Sequence, residues 1–269
     1  MASWKQVAEL FRRLEKAGWD PQPEPYTAVR DIDWDSLPET VDSRTLLRGR
    51  RLQQKRDQVA NLLALVGELA AGAVATDFGA GSGHLSLALA YLHPDVTVWL
   101  VDVNEYGLGL AQERAEQAGL TNVRFSVGRV TEFQESFDLG FALHACGAAS
   151  DDAQELCLGN RATYIVCPCD LGQIQKSDRT FPRSVRFREL LSRQEYDVLA
   201  SAADWTNSDN PDRRSRGTRA MAFINLDRNL AAEEVGYDTL LLVGYPLEAT
   251  PKNQILYGSP PAPPSETGP

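Results

Sequence analysis

The sequence predicts an α/β fold, a mostly parallel sheet with helices on both faces behind an N-terminal helical extension. Three observations predict it. From Val74 onward, short apolar runs alternate with helix-forming stretches. A glycine turn, "DFGAGSG" from Asp77 to Gly83, separates the first run from the helix that follows. An acid, Asp102, closes the second run. Strands that alternate with helices pair in parallel, because each helix carries the chain back to the edge where the strand began.

The elements follow in order. Trp4, Val7, Phe11 and Leu14 share one face of a first helix that stops before Gly18. "DPQPEPY" breaks it, and Asp20 to Asp42, with four prolines and several acids, reads as an extended segment draped over the surface. A long helix is predicted from Arg44 to Ala70, charged in its first half and carrying Val59, Leu62, Leu63, Val66 and Leu69 as an apolar stripe in its second. Strand Val74 to Thr76 leads into the glycine turn and a helix bearing Leu85, Leu87, Leu89 and Leu92. Then come strand Val96 to Asp102, helix Glu105 to Gln117, strand Val123 to Val127, strand Phe137 to Leu143, helix Asp151 to Leu158 and strand Ala162 to Val166. Helix Val185 to Leu199 is next, and two last strands, Thr218 to Leu226 and Thr239 to Gly244, enclose a helical "DRNLAAEEVGY". The Pro-rich "GSPPAPPSETGP" has nothing to build a core and reads as disordered. The expected organisation is a helix and extended segment over 1–43, one globular domain over 44–258 and a disordered tail over 259–269.

Composition narrows the function. With 43% hydrophobic residues the chain can fill a substantial core, and it shows neither an apolar run of membrane-spanning length nor a charged-then-apolar leader. A cytoplasmic protein with no membrane contact is expected. Four cysteines, Cys146, Cys157, Cys167 and Cys169, are expected as free thiols in a reducing compartment. A net charge of −10 argues against a broad nucleic-acid footprint. Local basic stretches remain, in "RGRRLQQKR" (Arg48 to Arg56), between Arg179 and Arg193, and in "RRSRGTR" (Arg213 to Arg219), each read first as a solvated face.

Three chemistries compete for the glycine turn. Asp77-Phe78-Gly79 lacks the upstream glycine loop, strand lysine and H-R-D stretch of a kinase. A dinucleotide fingerprint needs a glycine where His84 stands, which disfavours an NAD-dependent oxidoreductase. What remains is acid-x-G-x-G-x-G, with Asp77, Gly79, Gly81 and Gly83, the spacing expected where S-adenosyl-L-methionine lies across the turn. Glycines admit the ligand close to the backbone at positive φ, and the helix N-terminus behind them favours a carboxylate. Asp102 would accept two ribose hydroxyls. Gly128 and Arg129, after the third strand, would meet the adenine edge mainly through backbone.

A second constellation gathers at the ends of the fourth and fifth strands, in "LHACGAASDD" and "IVCPCDLGQI". If those strands are neighbours, His144, Cys146, Cys169 and Asp170 converge where a methyl acceptor should arrive. His144 is the candidate general base, with Asp170 and Cys169 beside it. The H-x-C and C-x-C spacings contain zinc-ligand types, but strand-end cysteines are commonly small buried hydrophobes, and no metal is expected. His84 and His93 read as structural.

These motifs resemble a known family, the methyltransferase domain of the glutathione S-transferase C-terminal domain-containing protein. The likeness runs from about Arg50 to Pro260, on "RLQQKRDQVANLLALV", "DFGAGSGHLSLALA", "ALHACGAASD", "CPCDLGQIQ", "FPRSVRF", "NLDRNLAAEEVGY" and the "SPP" that follows "TPKNQILYG". A wider group, including a tRNA 2′-O-methyltransferase family, is similar at the glycine loop and the H-x-C-G element. The resemblance implies a Rossmann-like class I methyltransferase fold, S-adenosyl-L-methionine as cofactor, Gly79, Gly81, Gly83 and Asp102 upon it, and, by analogy alone, an RNA acceptor held through a local basic patch. Two departures matter. Family members carry paired cysteines where this chain has Cys169-Asp170, and a glutathione-linked activity is not expected to carry over. The acceptor and the oligomeric state stay open at this level, as does the rival reading of a non-catalytic interaction module.

Overall fold

The computed structural model describes residues 2–26 and 31–261. Its centre is an eight-stranded sheet ordered β1-β7-β8-β6-β5-β2-β3-β4. The strands are β1 (Glu24–Pro25), β2 (Val74–Phe78), β3 (Thr97–Asp102), β4 (Val123–Val127), β5 (Leu139–Cys146), β6 (Thr163–Cys169), β7 (Asp238–Val243) and β8 (Gln254–Ser259). All pairings are parallel except those of β8, which runs antiparallel between β6 and β7. This is the doubly wound, class I methyltransferase arrangement. The chain steps outward from β2 through β3 to β4, then returns to build β5 and β6 on the other side of β2. The order therefore reverses between β2 and β5, where a crevice opens beyond their carboxyl ends.

Helices cover both faces. Helices α2 (Gly49–Ala64), α3 (His84–Leu92) and α4 (Glu105–Gln117) bury Leu62, Leu63, Leu87, Leu108 and Ala111 against Val98, Leu100 and Ile165 of the sheet. On the other face α5 (Ala149–Asn160) and α8 (Pro211–Glu233) pack Ala153, Cys157 and Ala232 against Phe78, Val101, Tyr164 and Val166. Helices α1 (Trp4–Lys16), α6 (Val185–Arg188) and α7 (Arg193–Ala203) form a further layer outside α8.

Five expectations are corrected. Thr218 to Leu226 is the middle of α8, not a strand. Lying between the sheet and the outer helices, α8 buries Ala220, Met221, Ala222, Phe223 and Ile224 in succession. A helix buried all round shows no one-sided stripe, and its continuous apolar run mimics a strand. The predicted helix Val185 to Leu199 is two helices, because Ser192 and Glu195 form a capping box that starts α7 afresh. The long helix is shorter, Gly49–Ala64, and β8 was missed altogether. Finally, residues 31–43 are not draped over the surface: Ile32, Leu37 and Val41 belong to the main core, and Asp42 and Ser43 are buried. Gly258 and Ser259, expected in the disordered tail, instead end β8, where they pair with Thr239 and Asp238; from residue 262 the tail lies outside the described residues.

Candidate functional site

The crevice at the switch point is a cleft of about 310 Å³ lined by Lys55, Asp77, Gly79, Gly81, His84 and His144, among others. Its floor is the glycine turn. Gly79, Gly81 and Gly83 all take positive φ (76°, 54° and 77°), a backbone state that costs a residue with a Cβ about 1–2 kcal/mol. Gly83 is needed for a second reason. A Cβ there would lie 3.0 Å from that of Ala111 and 3.2 Å from Leu100 Cδ2, so its absence lets α4 and β3 close on the start of α3. The turn hangs from β3 through Gly79 N–H and Ala80 N–H, which both donate to the Val101 carbonyl, at 2.8 and 3.2 Å.

Asp102 holds the turn from the side. Its Oδ2 accepts the Gly81 N–H at 2.7 Å, and its Oδ1 accepts the Asn104 N–H at 2.8 Å. Both oxygens are thereby oriented by backbone, and the residue stays half-buried. A carboxylate oxygen can accept more than one hydrogen bond, so Asp102 keeps capacity for hydroxyls. Asp77 is different: it is buried and accepts the Ser86 hydroxyl at 2.5 Å. Burial pushes its carboxyl up to about 6, against the lowering effect of Ser86. Gly128 N–H donates to the Asp102 carbonyl at 3.0 Å, placing Gly128 beside that residue. Arg129 is exposed and its N–H is taken by Glu132 Oε2 at 2.9 Å, so that donor does not await an adenine edge.

The N-terminal segment reaches this loop. Arg114 of α4 donates to the carbonyls of Thr40 and Ser82 and, at 3.0 Å, to Ser43 Oγ. His84 bridges Ser82 and Ser43, and its burial drives its imidazole pKa down to about 3. Its structural role, expected from sequence, is to lock the turn.

His144 and the cysteines part company. A bulge between Leu143 and Cys146, with His144 at φ 66°, turns the imidazole into the cleft, where Nε2 donates to Gln58 Oε1 at 2.9 Å. Burial and the nearby Lys55 ammonium lower its pKa to about 4, so it is neutral at pH 7. Cys146, Cys169 and Asp170 gather separately: the two Sγ atoms lie 3.0 Å apart and Asp170 Oδ2 is 3.4 Å from Cys146 Sγ. The expected rim therefore divides into His144 facing the glycine turn and a thiol–carboxylate cluster behind its carbonyl. Cys167 belongs to neither, being buried with its Sγ on the Lys252 carbonyl.

Lys55 and Gln58 of α2 were missed. Lys55 is half-buried in the cleft, burial lowers its pKa, and among the described residues its ammonium has no salt-bridge or hydrogen-bond partner. The sequence signal was there. Lys55 falls four residues before Val59, in register with the apolar stripe of α2, whereas a solvated lysine would fall on the opposite face. An unpaired, partly desolvated cation beside a glycine turn and a helix N-terminus suits an anionic group. The site thus has the parts an amino-acid nucleoside requires: an oriented acid for hydroxyls, a cation for a carboxylate and a glycine floor.

A family model described as "Methyltransferase domain" matches residues 69–183. The glutathione S-transferase C-terminal domain-containing protein of Xenopus laevis is 37% identical over 233 residues, covering 85% of this chain and 38% of that one. The Homo sapiens protein of the same name is 34% identical over 258 residues, covering 94% and 40%. The chain therefore spans 38–40% of the length of these curated relatives. Among solved structures, the S-adenosylmethionine-dependent methyltransferase SibL is similar at 13% identity and a TM-score of 0.47, over 96% of this chain and 70% of that one.

Proposed function

The chain belongs to the Rossmann-like methyltransferase-domain family of the glutathione S-transferase C-terminal domain-containing proteins, and on that premise we propose that it binds S-adenosyl-L-methionine and methylates a nucleophile at the rim of the cleft. The observation that carries the reading is Asp102 bonded to the Gly81 N–H of the glycine turn, with Lys55 facing the cleft that Gly81 lines. Asp102 would hold the ribose hydroxyls, Lys55 the carboxylate, and Asp77 with Gly79 and Gly81 the floor. When bound, the cofactor supplies an electrophilic methyl group on a sulfonium. The protein's part is alignment and exclusion of water more than charge donation, because transfer neutralises the sulfonium.

His144 is the residue we assign to the acceptor. With Nε2 donating to Gln58, the lone pair of the neutral ring sits on Nδ1, which receives the acceptor's proton. Cys169, whose Sγ donates to the His144 carbonyl, and Asp170 after it stand behind His144 and not beside its ring. RNA is the acceptor class we favour. The basic run Arg213 to Arg219 opens α8, with Arg216 over the exposed ring of Trp4 (3.8 Å), a cation and an aromatic side chain at the surface that suit a nucleic-acid strand. The test is transfer of tritiated methyl from the cofactor to cellular RNA, protein and small-molecule fractions, with Asp102→Ala as control. Label in RNA that the variant fails to deposit supports the reading; no labelling above the variant in any fraction sinks it.

A further inference from the structure

We infer that Cys146, Cys169 and Asp170 form a three-ligand site for zinc(II), with a fourth position open to water or a substrate heteroatom. Cys146 and Cys169 are register partners on β5 and β6, and the ligand atoms of the three residues all lie within 4.8 Å of one another. Two features create the cluster. The bulge in β5 lets the His144 carbonyl accept both thiols, from Cys169 Sγ at 3.2 Å and Cys146 Sγ at 3.6 Å, and Asp170, at φ 41°, carries its carboxylate next to Cys146. Cys146 and Asp170 are exposed, so an ion can enter and one side remains open.

Chemistry separates this assignment from its rivals. A structural thiol is a small buried hydrophobe, as Cys157 and Cys167 are; Cys146 is not. A disulfide would require the sulfurs to close from 3.0 Å to about 2.05 Å. Zinc needs a similar movement outward, since Zn–S bonds of about 2.3 Å in a tetrahedral site set two thiolates about 3.8 Å apart. Asp170 decides between them. A neighbouring carboxylate opposes the thiolate that disulfide exchange needs, whereas in a metal site it is the third ligand. Two thiols and one carboxylate with a vacant fourth position match the catalytic pattern of three protein ligands. Binding releases the two thiol protons to solvent and leaves the ion held by two thiolates and a carboxylate, so affinity rises with pH. The four-ligand set that H-x-C and C-x-C spacing suggested does not form, because the His144 ring and Cys167 face elsewhere.

The experiment titrates cobalt(II) into the freshly reduced, desalted protein, then displaces it with zinc(II) against a chromophoric chelator, without cofactor. We expect a sulfur-to-cobalt charge-transfer band that saturates at one equivalent and is removed by zinc. Cys146→Ser and Asp170→Asn should each weaken zinc binding at least tenfold, and Cys157→Ala should leave it unchanged. A folded, reduced protein that develops no such band overturns the site, as does equal zinc affinity in Asp170→Asn. Complete conversion to a Cys146–Cys169 disulfide under air, with no metal uptake after reduction, would also overturn it. Because no cofactor is present, this result and the methyl-transfer result stand or fall separately.

Discussion

The Nδ1 atom of His84 lies 2.6 Å from Ser43 Oγ, so the glycine turn is tied to a segment 41 residues earlier in the chain. That tie has a pH signature. His84, at about 3, and His144, at about 4, are neutral in the fold but titrate near 6.5 when unfolded. Between those values the unfolded state holds protons that the folded state lacks, so stability falls as pH drops below about 6.5. Asp77, raised to about 6 from 3.8, acts in the opposite sense over its own window. Urea unfolding between about pH 4.5 and 6 should show that His84→Gln flattens the pH slope by about 1.4 kcal/mol per unit. Parallel lines for the two proteins would remove His84 from this account.

Gly83→Ala combines a positive φ with the approach of Ala111. It should destabilise the protein by about 2–4 kcal/mol. Chemical denaturation reads this directly, and a variant as stable as the parent would mean that α4 can move aside without penalty.

Lys55→Met should weaken binding of S-adenosylhomocysteine about tenfold, the loss of one charge-assisted contact. It should leave 5′-methylthioadenosine, which lacks the carboxylate, unaffected. Equal weakening of both ligands would make Lys55 a packing residue. No weakening of either would place the carboxylate elsewhere.

His144→Ala should lower kcat about 100-fold while changing cofactor affinity less than threefold, as expected for a group that handles only the acceptor's proton. Because its pKa is depressed to about 4, the activity of the parent should not fall off around pH 6.5. An inflection there that His144→Ala abolishes would mean that the ring titrates as if exposed.

Much of this architecture was legible in the residues, and the failures have causes. Asp77, Gly79, Gly81, Gly83 and Asp102 are contiguous with the strands that place them, so local spacing carried their positions. His144 and Asp170 could be placed at neighbouring strand ends, but the rotation of the His144 ring away from Cys146 depends on a bulge that no spacing encodes. Lys55 was hidden in a charged run, where its register with Val59 counted for less than its neighbours' polarity. The burial of α8 on all sides erased the period that identifies a helix, and β8 enters the sheet only through long-range antiparallel pairing.

The most direct test of the central claim is calorimetric titration of the parent and of Asp102→Ala with S-adenosylhomocysteine. The account predicts one site on the parent and a loss of at least tenfold in affinity in the variant, since two hydroxyl contacts to a carboxylate contribute about 1.5–3 kcal/mol each. No binding by a folded parent, or equal binding by both proteins, would contradict it.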